Sequence, residues 1–194
     1  MLKIGIIIGS TRPGRRAPQL AQWIYDLAVK KGGAEYELID IQDYDLPVLD
    51  EPIPASQGKY SQPHTLKWAA KIDSLDGFIF VTPEYNHSIS GALKNAIDFI
   101  YAEWINKAAG FVSYGTTGGA RAVEHLRGIM AEVQVADVRA HISLSLFTDF
   151  VNFSDFKPHD WHLGQANAML DQLLNWSGAM KALRQQLSEK AKAA

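Results

Sequence analysis

Apolar residues follow two patterns along this chain. Short unbroken apolar runs recur, and between them apolar residues return every three or four positions. "LKIGIIIG" at 2–9 shows no alternation with polar residues, as expected of a strand covered on both faces. "EYELIDI" (35–41), "DGFIFVT" (76–82), "AAGFVSYG" (108–115) and "VQVADVRAHISL" (133–144) predict four more strands. Helical spacing fills the gaps. Leu20, Trp23, Ile24 and Leu27 mark a helix over about 15–31, ended by Gly32 and Gly33, and Trp68 and Ile72 mark one over 64–74. Leu93, Ile97, Ile100 and Trp104 extend a third from Ser90 to Trp104. Two more helices are predicted over 119–132 and from Asp160 to near Lys190. The stretch 42–63, with Pro47, Pro52, Pro54 and Pro63, reads as a loop longer than usual, functional or mobile. Residues 145–160 read as irregular.

Strands alternating with helices predict an α/β fold: a doubly wound five-stranded parallel sheet with helices on both faces. At 194 residues, the whole of 1–194 is expected to form a single domain. Such folds bind ligands beyond the carboxyl ends of strands where the strand order reverses. The loops after the first, third and fourth strands are therefore the ones to search.

Composition narrows the chemistry. With 47% hydrophobic and 21% charged residues and a net charge of −2, nothing favours nucleic acid or an anionic membrane as partner. There is no cysteine, which excludes disulfides, thiolate metal sites and cysteine nucleophiles. "MLKIGIIIGS" is too short in its apolar run for a signal peptide, and no run suits a membrane span. A cytoplasmic location is expected. His64, His87, His125, His141, His159 and His162 show no metal-ligand spacing, and G-x-S-x-G is absent.

"GSTRPGRRAPQL" (9–20) follows the first strand. It is neither G-x-G-x-x-G nor a Walker loop. It offers Ser10 and Thr11 hydroxyls, Gly14, and Arg12, Arg15 and Arg16 before a helix start. Free N–H groups and the helix dipole favour an anion there, and arginine forks fit phosphate. A turn with solvated arginines is the plainer reading.

"VTPEYNHSISGALKNAIDFI" (81–100) follows the third strand. Pro83 should end the strand near Thr82. Glu84, Tyr85, Asn86 and His87 then stand at the sheet's carboxyl edge, and Ser88 or Ser90 can cap the next helix. A rigid turn with one flat ring suits a planar, hydrogen-bonding ligand; an ordinary proline turn is the alternative.

Together, "GSTRPGRR" and "PEYNHSISGALKNAIDF", with "SYGTTGGARAVEHLR" after the fourth strand, resemble the NADPH-dependent FMN reductase family of flavodoxin-like proteins. The likeness spans roughly residues 3–142. It implies FMN as cofactor and NADPH or NADH as electron donor. It implies that Ser10, Arg12 and Arg15, with the backbone of Arg16 and Ala17, hold the FMN phosphate. Pro83, Glu84, Tyr85 and Asn86 would line the isoalloxazine and ribityl chain; Ser113, Tyr114 and Gly115, with Gly118 nearby, would close the other edge. It also implies a homodimer or homotetramer. One departure stands out: Arg15-Arg16-Ala17-Pro18 replaces the serine-bearing helix start of many relatives.

On this reading the cofactor carries the redox chemistry. No side chain is nominated as catalytic, and a small-molecule acceptor, a flavin or quinone, takes the electrons. A flavodoxin-type electron carrier without NAD(P)H activity and an anion-binding domain without flavin remain the alternatives. Tyr60, in the 42–63 loop, is read as a roof over the ligand or an interface residue.

Overall fold

A computed structural model describes residues 1–193. Five parallel strands form the sheet: β1 (Leu2–Ile8), β2 (Ala34–Asp40), β3 (Gly77–Pro83), β4 (Lys107–Gly115) and β5 (Val135–Ser145), in the order β2-β1-β3-β4-β5. The helices between them are α1 (Ala17–Lys31), α2 (Pro63–Asp73), α3 (Gly91–Asp98) and α4 (Ala120–Glu132). A two-stranded antiparallel hairpin, β6 (Phe150–Val151) and β7 (Asp155–Phe156), precedes α5 (Trp161–Ala193).

The unbroken apolar runs have the cause expected. Every residue of β3 and β4 is buried, because each strand has neighbours on both edges and helices on both faces. One face packs Phe78, Phe80 and Phe111 against Trp68, Ile97, Leu126 and Met130 from α2, α3 and α4. The other packs Ile6, Ile79 and Val112 against Leu20, Ile24, Met169 and Leu173 from α1 and α5. Burying one such side chain contributes on the order of 1.5–3 kcal/mol.

Two expectations needed correction. First, α3 stops at Asp98, not near Trp104. The Ile97 carbonyl accepts from the Trp104 indole N–H (3.2 Å), and the Tyr101 amide donates to the Tyr60 hydroxyl (3.0 Å). The bond that would carry the helix onward is thus replaced at both ends, and Phe99, Ile100 and Trp104 are buried by turns instead. Second, the segment 145–160 is not wholly irregular, because it contains the β6–β7 hairpin. The 42–63 stretch, expected to be functional or mobile, is braced against α2 and α3. Asn95 bonds to the Pro47 carbonyl (2.6 Å) and the Leu49 amide (3.0 Å), and Glu51 accepts from the Ser61 and Gln62 amides. Those amide bonds pull the Glu51 carboxyl down to about 2 against its desolvation. Tyr60 bonds to Glu103 (2.8 Å) besides Tyr101.

Candidate active site

Strand β1 has β2 on one side and β3 on the other, so the chain reverses direction across the sheet at β1. Carboxyl ends of strands at such a reversal form a crevice. A cavity of about 370 Å³ opens there, lined by Arg12, Arg16, Pro83, Glu84, Tyr85, Tyr114, Gly115, Leu146 and Phe153. A larger hollow, about 650 Å³, lies beside β5, but Arg127 there is engaged by Asp137 and by the Val138 and Arg139 carbonyls.

The floor of the crevice is built on strand ends. Ser10 is fully buried, and Tyr114 is 5% exposed. The Tyr114 hydroxyl lies beside Ser10 and the Arg16 and Ala17 backbone, and burial pushes its pKa up to about 12. Neither hydroxyl closes a hydrogen bond of ordinary geometry. A buried polar group left unpaired costs about 1–3 kcal/mol. Two of them meet at the first turn of α1, which carries no acidic residue and no side-chain cap, with Arg12 and Arg16 beside them. Every group at this floor can donate, and none is a carboxylate. That is the donor set of a phosphate cradle.

Arg15 has another place. It holds Asp40 through both guanidinium nitrogens, Nη1 at 2.7 Å from Oδ1, and also donates to the Ser10 carbonyl. The Asp40 hydrogen bonds raise its pKa further. Arg15 therefore braces the Ser10 loop against the end of β2 and neutralises the Asp40 carboxylate. Its side chain does not line the cavity. Ala17 is buried beneath, at the first position of α1, and Pro18 follows where no backbone N–H is needed.

The β3–α3 loop forms the next wall. Ser90 is the N-cap of α3: its hydroxyl accepts from the Leu93 amide (3.0 Å) and donates to the Gly9 carbonyl (2.6 Å). That second bond ties the β3 loop to the β1 loop. Tyr85 and Ser88 exchange backbone bonds (2.9 and 3.1 Å) across a two-residue turn, with Asn86 at φ 47° and His87 at φ 76°. Asparagine tolerates such a turn, whereas a histidine there is strained by about 1–3 kcal/mol. The turn holds the Tyr85 ring at the cavity under the Arg12 guanidinium, 5.8 Å from its centroid. Asn86 itself sits at the exposed tip and does not line the cavity.

Glu84 lines the wall, but its carboxylate is turned to α4. It accepts from Arg121 Nε (2.6 Å) and from the Arg121 and Ala122 amides (3.1 and 3.4 Å). Burial opposes its ionisation, yet these bonds outweigh burial and hold its pKa below the usual carboxylate value. Glu84 thus caps α4 and locks the β3 and β4 loops together. Ser113 is also structural: its hydroxyl donates to the Gly118 carbonyl (2.7 Å) inside the β4 loop. Gly118 and Gly119 both have φ 76°. A Cβ on Gly119 would lie 2.8 Å from the Tyr114 nitrogen, so only glycine lets this loop close.

The structure brings Arg12, Arg16, Pro83, Glu84, Tyr85, Tyr114 and Gly115 to one cavity, over Ser10 and Ala17. It places Arg15, Asn86, Ser113 and Gly118 around that cavity as supports. Sequence reasoning missed Leu146 and Phe153. Both lie in the segment read as irregular, although phenylalanine recurs there at every third position, Phe147, Phe150, Phe153 and Phe156.

Comparison with known proteins agrees with this geometry. Residues 2–149 match the model of the NADPH-dependent FMN reductase family. An NAD(P)H-dependent FMN reductase of Nectria sp is 35% identical over 158 residues, covering 77% of this chain and 79% of the relative. An NAD(P)H:quinone oxidoreductase of Solanum tuberosum is 37% identical over 134 residues, 66% of this chain and 67% of its own. A flavoenzyme NAD(P)H:(acceptor) oxidoreductase from Paracoccus denitrificans shares the fold with TM-score 0.73 and 21% identity, over 93% of this chain and 99% of that one. The fold is thus flavodoxin-like, and the chain belongs to the NADPH-dependent FMN reductase family.

Proposed function

We propose that this chain is an FMN-dependent oxidoreductase, taking hydride from NAD(P)H and reducing flavins, quinones or similar small acceptors. The observation that carries it is the pair of buried, unpartnered hydroxyls, Ser10 and Tyr114, beside Arg12 and Arg16 at the strand-order reversal. Membership of an FMN reductase family supports FMN as the phosphate-bearing group for such a floor. Curated relatives named as FMN and quinone reductases support the reaction class.

When bound, FMN supplies a ring that accepts hydride from one partner and delivers it to another. The chain's own work is binding, orientation and electrostatics. Ser10, Tyr114 and the amides at the start of α1 would donate to the phosphate, with Arg12 and Arg16 supplying its countercharge. Pro83, Tyr85 and Gly115 would line the ring; the cross-bonds of Ser90, Glu84 and Ser113 keep those walls fixed when charge builds up, so little reorganisation is needed. No side chain has to give or take a proton for hydride transfer.

We read the whole of 1–194 as one domain, since both packed faces share one sheet. A homodimer or homotetramer in the cytoplasm belongs to the same reading. No helix among the described residues is long and apolar enough to cross a membrane.

The visible spectrum tests the reading. The purified protein should be yellow, or become so with FMN, and bleach under anaerobic NADPH or NADH. A protein that stays colourless with FMN would defeat it; a yellow protein that neither nucleotide bleaches would point to a pure electron carrier. Light scattering on the yellow species gives the assembly state.

A further inference from the structure

We propose that the tip of the β6–β7 hairpin, Phe153 supported by Phe147, is a wall that selects planar aromatic acceptors, quinones of one or two rings. The proposal rests on the FMN reading above.

Phe153 is more than half exposed, and Phe147 more so. Their rings meet edge to face, 5.5 Å apart. With Leu146, Phe153 gives the cavity an apolar side; Arg12 and Tyr85 come from other loops. The backbone at the tip is unusual. Ser154 closes a turn onto the Val151 carbonyl (3.0 Å), and its two central residues, Asn152 and Phe153, have φ of 52° and 56°. A bulky residue in the left-handed region is an outlier that glycine would relieve. Folding gains little from an exposed ring in that position. An observed outlier at a cavity is grounds for a functional assignment.

The wall is also held firmly. Arg16 Nε donates to the Phe153 carbonyl (3.2 Å), and Gln19 bonds the Ser154 carbonyl (2.9 Å) and the Phe156 amide (3.2 Å). Phe150 packs on Phe156 and on Tyr114, and Trp23 meets Phe156 edge-on. At the base, the buried Asp149 accepts from His162 (2.9 Å) and from the Ser145 amide (2.8 Å). The anchors run from α1, the cavity floor and α5 to one exposed phenyl ring. The family match ends at residue 149, so the hairpin lies outside it.

A phenyl face held in place at the cavity's edge favours a flat, electron-poor ring, which a quinone presents. Offset stacking against the Phe153 ring holds the acceptor, while Arg12 stays with the phosphate. Phosphate recognition stays with the buried floor, so cofactor retention and acceptor choice are separable.

The test uses oxidised holoprotein titrated with 1,4-naphthoquinone, which oxidised flavin does not consume, with Kd read from the flavin absorbance. FMN affinity of each stripped protein is measured first. Phe153→Ala and Phe153→Gly, the latter matching the turn's backbone, should each weaken naphthoquinone at least about tenfold. Their FMN Kd should move less than about threefold, and their steady-state preference for naphthoquinone over ferricyanide should fall in parallel. Phe153→Trp should keep naphthoquinone affinity. Unchanged naphthoquinone binding in both truncations would overturn the proposal. So would FMN affinity falling as far as quinone affinity, since Phe153 would then belong to the cofactor site. Failure of the wild type to take up FMN appears in the first titration and defeats the underlying reading instead.

Discussion

The floor and the outer rim of the cavity solve opposite problems. The floor sits on the ends of β1 and β4, fully covered, and leaves two hydroxyls without partners. The rim sits on a hairpin outside the sheet, exposes aromatic rings, and has all its anchors satisfied. Unsatisfied polarity is tolerable at the floor because the surrounding sheet over-determines the backbone. The rim has no such sheet and relies on particular side-chain bonds. Damage to the floor should therefore read out in cofactor affinity, and damage to the rim's anchors in stability.

The sharpest challenge to that contrast is at the rim's base. His162 is 3% exposed, with Nε2 on Asp149 and Nδ1 on the Gln165 side-chain amide (2.9 Å each). His162→Leu leaves the Oδ1 of buried Asp149 without its ring partner and should destabilise the fold by about 3–5 kcal/mol. Urea unfolding measures it, and a loss below 1 kcal/mol would show that the hairpin does not depend on this anchor. Gly119→Ala forces a Cβ against Tyr114 at positive φ. It should cost about 2–4 kcal/mol, with FMN uptake falling alongside, because the floor moves with the loop.

Arg12→Ala should weaken FMN by about 1.5–3 kcal/mol with stability nearly unchanged, measured by titration of stripped protein. Unchanged affinity would remove Arg12 from the phosphate site. Ser10→Ala is smaller and more pointed. Deleting an unpaired buried hydroxyl should leave the stripped protein as stable or up to about 1 kcal/mol more so, while FMN binds about tenfold more weakly. Parallel changes in both would refute the division between floor and scaffold.

The smallest effect concerns pH. Glu84 has its folded pKa depressed by Arg121 and the α4 amides. Its contribution is therefore present above the ordinary value of 4.5 and lost as pH falls through the lower folded value. Glu84→Gln should flatten the acid limb of stability measured from pH 6 down to about 3.

Much of this was readable in advance because it depends on local pattern. Full burial of β3 and β4 shows as unbroken apolar runs, and a serine before Gly91, Ser88 or Ser90, announces a helix cap. The end of α3 was not readable. Nothing near Ile97 says that its carbonyl goes to the Trp104 indole or that Tyr60, far back in the chain, takes the Tyr101 amide. Arg15 and Glu84 show the same limit. Each carries the charge or hydrogen-bonding capacity that suits a ligand, but Asp40 and the α4 N-terminus, met only through folding, take them first.

The sequence by itself determined the alternation of strands and helices, the order of the loops at the sheet's carboxyl edge, and the residue types offered there. These follow from periodicity, proline and glycine, all of which act over a few residues. Tertiary structure alone decided which polar groups remain without partners. Partnership is a property of residues distant in sequence, so only the packed sheet shows Ser10 and Tyr114 left over and Phe153 brought to their cavity.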